Sequence, residues 1–184
     1  SVAADGDTPV VAIRADAAAA SLVRATGWDV TANPHLRWRW KVDRVVSAAD
    51  LRTKDGDDFA ARVYVMFDYP LERLSWLDRN KLKLARWIYG DQVPAAALCY
   101  VWANQTPVGV QTDNAYTDRV KVVVLQNAQG AVGDWVAERR DVLADFRAAF
   151  GEEPPPISGI ALAADTDQTG ERVTAWFGDV AFVE

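Results

Sequence analysis

Seven residues, Leu36-Arg37-Trp38-Arg39-Trp40-Lys41-Val42, restrict the architecture more than any other segment of this chain. Leu36, Trp38, Trp40 and Val42 alternate strictly with Arg37, Arg39 and Lys41. Only an extended strand puts the first set on one side and the second on the other. One side is an aromatic layer fit for a core. The other carries three positive charges in a chain whose formal net charge is −6. The segment predicts a two-faced sheet and draws attention to its charged side.

The same reading yields further strands. Val10 to Arg14, Ser21 to Arg24, Ala96 to Trp102, Arg119 to Leu125, Ile157 to Ala164 and Val173 to Val183 are β-rich runs. Phe59 to Phe67 alternates, with Phe59, Val63, Val65 and Phe67 on one face and Arg62 and Tyr64 on the other. Turn signals at Asp55-Gly56, Thr106-Pro107, Asp113-Asn114, Gln129-Gly130 and Thr169-Gly170 separate the runs. Many strands at this spacing, without alternating helices, predict an antiparallel sandwich or barrel.

Two helices are expected to interrupt it. From Asp134 to Phe150, Trp135, Val142, Phe146 and Ala149 share a stripe; Asp134 can cap its start, and Gly151 before Pro154-Pro155-Pro156 stops it. Leu71 to Tyr89 sets Arg73, Arg79, Lys81, Lys83 and Arg86 beside Leu74, Leu77, Leu84 and Ile88, an insertion with a solvated basic face.

At 184 residues the chain, 1–184, reads as one domain, long enough to bury a sizeable core. Its acidic balance argues against nucleic acid as a partner, because that binding needs a net basic footprint. No apolar run reaches the length of a membrane span. The lone Cys99 forms no internal disulfide, so redox compartment is left open. The chain begins at Ser1 rather than Met, which predicts a processed or trimmed N-terminus.

Three clusters carry the functional expectations. Asp165, Asp167 and Thr169, followed by Gly170, place oxygens at positions one, three and five of a loop, as a calcium loop does. Position twelve is Trp176 rather than Glu, and the flanks are strands. An acidic hairpin bonding its own amides is therefore the competing reading, and Ca2+ the cofactor if a metal binds. In the second cluster Asp58, Arg62 and Tyr64 share one side of a strand, where Asp58 and Arg62 can pair across it. Arg39 or Lys41 would join them if the two strands are neighbours. In the third, Tyr100 and Trp102 read as core, whereas the loop residues Asn104, Asn114 and Tyr116 offer amides and a ring to a ligand.

Other chemistries are nearly closed. His35 is the only histidine, which leaves little room for a Ser-His-Asp or Cys-His system, and with one Cys and one His the usual zinc sets are impossible. Cys99 lies in an apolar strand as a small hydrophobe. No phosphate-binding or dinucleotide glycine motif occurs. The leading expectation is non-catalytic binding of a glycan or similar polyhydroxylated ligand by Lys41, Asp58, Arg62, Tyr64, Asn104, Asn114 and Tyr116. The alternatives are a protein-interaction module and a carboxylate-dependent polysaccharide hydrolase or lyase.

The motifs LRWRWKV at 36–42, GDDFAARVYV at 56–65, YVW at 100–102, ERRDVLADF at 138–146 with FG at 150–151, and DTDQT at 165–169 occur in one order. In that order the chain closely resembles an uncharacterised bacterial family, domain of unknown function 3047, over nearly its whole length. The resemblance implies a jelly-roll-like β-sandwich similar to carbohydrate-binding modules, and a periplasmic or secreted protein. It implies no activity. Family members carry further residues ahead of the segment matching Val10 to Arg24, so the first edge strand is expected to be incomplete.

Overall fold

The computed structural model describes residues 1–76, 79–80 and 95–184, and eleven strands among them form two sheets. The first is five-stranded. Its spatial order is β1 (Val2–Asp5), β2 (Thr8–Asp16), β11 (Arg172–Val183), β4 (His35–Val42) and β9 (Val136–Asp141). The second runs β3 (Ala19–Trp28), β10 (Ile157–Asp165), β5 (Phe59–Phe67), β6 (Ala96–Trp102), β8 (Thr117–Gln126) and β7 (Gln111–Asn114). The protein is mainly β and sandwich-like, as the alternation predicts. One pairing departs from the antiparallel expectation: β6 and β8 are parallel, and β7 supplies the return strand that makes this crossover possible. The Asp113-Asn114 turn signal is the end of β7, with the chain reversing one residue later.

The core is built from the indole side of β4. Leu36, Trp38, Trp40 and Val42 are all buried, and they meet Tyr100 and Trp102 of the facing sheet. Trp38 lies 5.4 Å from Tyr100 and Trp40 lies 5.6 Å from Trp102, ring centre to ring centre. Such tilted contacts add to the burial of rings that each remove a large apolar area from water.

The helix expected over Asp134–Phe150 is half strand. Val136 to Asp141 forms β9 on the free edge of β4, with Glu138 opposite Trp38 and Val136 opposite Trp40. The unpaired N–H and C=O row of β4 outweighs the weak β preference of this segment. Helix α1 (Val142–Phe150) then starts at Asp141, not Asp134: the Asp141 carboxylate accepts from the Ala144 N–H at 2.9 Å. It stops at Gly151, whose φ of 71° is the left-handed cap. Phe146 sits 4.5 Å from Phe67, which seats the helix on the core. Of the second expected helix, Leu71–Arg73 is a 3-10 turn, and residues 77–78 and 81–94 of the Leu71–Tyr89 stretch and beyond lie outside the described residues. Among the described residues α1 is the one α-helix of that length, and no helix is long and apolar enough to cross a membrane.

β5 carries a second correction. Phe59 does not share the core face of Val63, Val65 and Phe67; it packs with Leu51, Cys99 and Val101 on the other side of the sheet. An irregularity in pairing between Ala163 and Asp165 of β10 shifts the alternation there, so that Ala60 and Ala61 both join the main core. The consequence is that Phe59 lies beneath Arg62.

Candidate functional site

Two ionic clusters stand out, one on each sheet. The first centres on Arg62, which is 2% exposed. Its Nε donates to Asp165 Oδ1 at 3.0 Å, one Nη donates to the Tyr64 hydroxyl at 3.1 Å, and the other meets Asp165 Oδ2 and the Asp57 carbonyl. The Asp57 carboxylate is 3.6 Å away, and the guanidinium lies 4.4 Å over the Phe59 ring. Asp58, expected to pair with Arg62, instead accepts from the backbone N–H groups of Thr169 at 2.7 Å and Gln168 at 3.4 Å. It thereby ties the 165–170 turn to the start of β5.

Asp57 and Asp58 are buried and Asp165 is nearly so, and the Arg62 guanidinium faces two of them, Asp57 and Asp165. Burial outweighs the Arg62 charge and pushes Asp165 up to about 6, and burial also raises Asp57. Burial likewise raises Tyr64 and lifts the Cys99 thiol to about 12, so Cys99 is no nucleophile. The sequence-marked loop is partly assembled: Asp58, Asp165 and Asp167 each offer an oxygen within 4.8 Å of the others. Thr169 joins them through its amide. The oxygens of Asp58 and Asp165 already accept hydrogen bonds from the protein, so the chemistry these residues perform on their own is bracing.

The loop residues serve the same brace. Asn114 Nδ2 donates to both Asp57 carboxylate oxygens at 3.1 and 3.0 Å, and its Oδ1 accepts from the Tyr116 N–H. The half-exposed Tyr116 donates its hydroxyl to the Lys54 carbonyl at 3.1 Å, with Lys54 Nζ 5.3 Å over its ring. Asn104 Nδ2 donates to the carbonyls of Ser47 and Ala49, holding the connection that leads to Asp57. Asp58, Arg62, Tyr64, Asn114 and Tyr116 are thus brought together around Asp57 and Lys54, mostly facing inward.

Lys41 is not among them. Its strand, β4, lies in the other sheet, so neither Lys41 nor Arg39 joins Arg62. The second cluster is there, on the outer face of the five-stranded sheet. Lys41 Nζ is 4.9 Å from the Trp176 ring and 5.4 Å from the Trp135 ring, and the Arg39 guanidinium is 4.2 Å over Trp135. Both indoles are partly exposed. Arg39 lies across Gly178, where an added Cβ would sit 3.0 Å from Arg39 Nε. This lets it reach Asp179 at 2.7 Å and, beyond it, Asp5. Asp179 is aimed by an irregularity in β11 between Gly178 and Ala181, with its own φ at 57°. The hydrogen bond from Arg39 holds the Asp5 carboxyl below its usual range.

Sequence reasoning missed Trp135 and Trp176 as surface residues. Trp135 reads as part of a helical stripe until β9 is known. Trp176 was legible: Val173, Ala175 and Phe177 alternate inward, which leaves Thr174 and Trp176 outward.

A two-layered β-sandwich with one closed ionic brace and one open aromatic–cationic face is the class of protein this arrangement defines. The model of one family, described as a protein of unknown function (DUF3047), matches residues 1–181, and the chain belongs to that family. A comparison with curated proteins finds no match.

Proposed function

We propose that this protein is a non-catalytic binding module for a glycan or similar polyhydroxylated ligand, held on the outer face of the five-stranded sheet. The observation that carries the reading is the pair of partly exposed indoles, Trp135 and Trp176, flanking Lys41. Indole faces stack on the C–H face of a sugar ring, and an ammonium between them donates to hydroxyls. The carboxylates around Arg62 already hold backbone amides or the guanidinium, which favours binding over hydrolysis. A surface for extracellular polysaccharide also fits the exported location that the family resemblance implies.

The test is a glycan screen read by tryptophan fluorescence, with and without calcium. Binding is expected in wild type and lost in Trp176→Ala and Trp135→Ala, with the fold intact by circular dichroism. No glycan above background in either condition would remove the proposal. A dependence on added calcium would assign a bound ion to Asp58, Asp165 and Asp167.

A second reading, association with another copy of this chain, rests on β3, the end strand of its sheet among the described residues. Leu22 there is 51% exposed and Val23 37%. Sedimentation that is monomeric across a wide concentration range would dismiss it.

A further inference from the structure

We infer that the ligand of the outer face is anionic: a uronate-bearing polysaccharide whose carboxylates meet Arg37 and Lys41 while a sugar ring rests on Trp176. This rests on the glycan reading above and names its ligand class.

Charge separation on the molecule carries the inference. The whole chain is acidic, with a formal charge of −6. Yet the outward side of β4 presents Arg37, Arg39 and Lys41 in sequence, and the strand register places Arg139 of β9 directly opposite Arg37. Two like charges side by side across a ladder are mutually unfavourable unless an anion offsets them. Arg39 is already answered by Asp5 and Asp179. Among the described residues Arg139 donates to the main-chain oxygen of Glu184. Among the described residues no carboxylate lies within ion-pair distance of Arg37 or Lys41, and the Lys41 charge reaches Asp5 at longer range.

Among the described residues the four cations thus have two side-chain carboxylates between them, Asp5 and Asp179, and the excess stays on the side of the sheet that bears the indoles. Lys41 is held in place by two rings, and Arg39 is clamped by two carboxylates and a third contact to Trp135. A cation fixed before binding loses little side-chain freedom when a carboxylate arrives, which strengthens the charge-assisted bond. Nucleic acid meets cations and stacking rings as well. Its binding, however, draws most of its strength from a broad basic footprint, which the acidic remainder of this chain denies it.

Titration calorimetry on the full chain decides the matter with three probes: hexagalacturonate, the neutral cellohexaose of equal length, and a twelve-residue oligothymidylate. Hexagalacturonate is expected to bind at least about tenfold more tightly than cellohexaose. The advantage should shrink with added salt and vanish in the Arg37→Gln, Lys41→Gln double variant. Trp176→Ala should weaken both saccharides, and Arg147→Gln, on α1, neither. Equal affinity for the two saccharides would overturn the anionic ligand and leave the glycan reading intact. Binding of neither would overturn the inference and leave the glycan reading to the wider screen. Oligothymidylate binding as tightly as hexagalacturonate would show a non-selective polyanion surface and overturn the inference.

Discussion

Arg62 and Arg39 are chemically matched and structurally opposite. Each guanidinium lies over an aromatic ring, Phe59 or Trp135, and each faces two aspartates, Asp57 and Asp165 or Asp5 and Asp179. Arg62 has a side chain 3% exposed, and its partners come from β10 and from the chain just before β5. Arg39 is 19% exposed and lies on an open sheet face. A buried ion pair is weak evidence of net stabilisation, but removing one member leaves charge uncompensated in a dry site. An exposed pair adds little to stability and stays available to a ligand. The comparison assigns Arg62 to the scaffold and the Arg39–Lys41 face to binding.

The largest expected effect tests the scaffold half. Arg62→Met should destabilise the protein by about 3–5 kcal/mol, because Asp57 and Asp165 lose the one cation that pairs with them among the described residues. Urea denaturation measures it; a loss below about 1 kcal/mol would put Arg62 on a par with a surface charge.

Next is pH. Asp165 is raised from 3.8 to about 6 in the folded state, so the folded protein holds this proton more tightly than the unfolded chain does. Its contribution is present in full below about 3.8 and is lost as pH rises through about 6, a change on the order of 3 kcal/mol. Asp57 moves in the same direction. Between pH 4 and 6, Asp165→Asn should therefore gain on wild type as pH rises. Identical pH slopes in the two proteins would contradict the raised carboxyl.

A smaller effect belongs to the junction between β9 and α1. Asp141→Ala should cost about 1 kcal/mol through loss of the cap on the Ala144 amide, without touching either arginine. A thermal melt checks it. Smallest of all, Arg39→Met should leave the denaturation midpoint nearly unchanged yet weaken saccharide binding by loosening Trp135. A destabilisation equal to that of Arg62→Met would erase the contrast between the two sites.

What could be read beforehand follows from how local each signal is. The alternation in Leu36–Val42 fixed both faces of β4, because a period of two is written into the strand itself. β9 was hidden because Val136 to Asp141 has no strong β preference and becomes a strand only by completing the edge of β4. Arg62 and the Asp165 loop were visible as separate motifs. Their junction was not, since the residues are 103 apart and meet through the β5–β10 pairing. The same pairing carries Asp58 away from Arg62 and onto the turn amides. Lys41 was singled out correctly as a charged outward residue but grouped with the wrong partners, because alternation says which side a residue faces and nothing about which sheet it belongs to.

Titration with hexagalacturonate, followed by NMR at the indole N–H resonances, tests the division of roles most directly. The Trp135 and Trp176 signals should move while those of Trp38, Trp40 and Trp102, packed between the sheets, stay in place. Shifts confined to the backbone amides of Phe59, Gln168 and Thr169 would put the ligand at the Arg62 cluster and contradict the account.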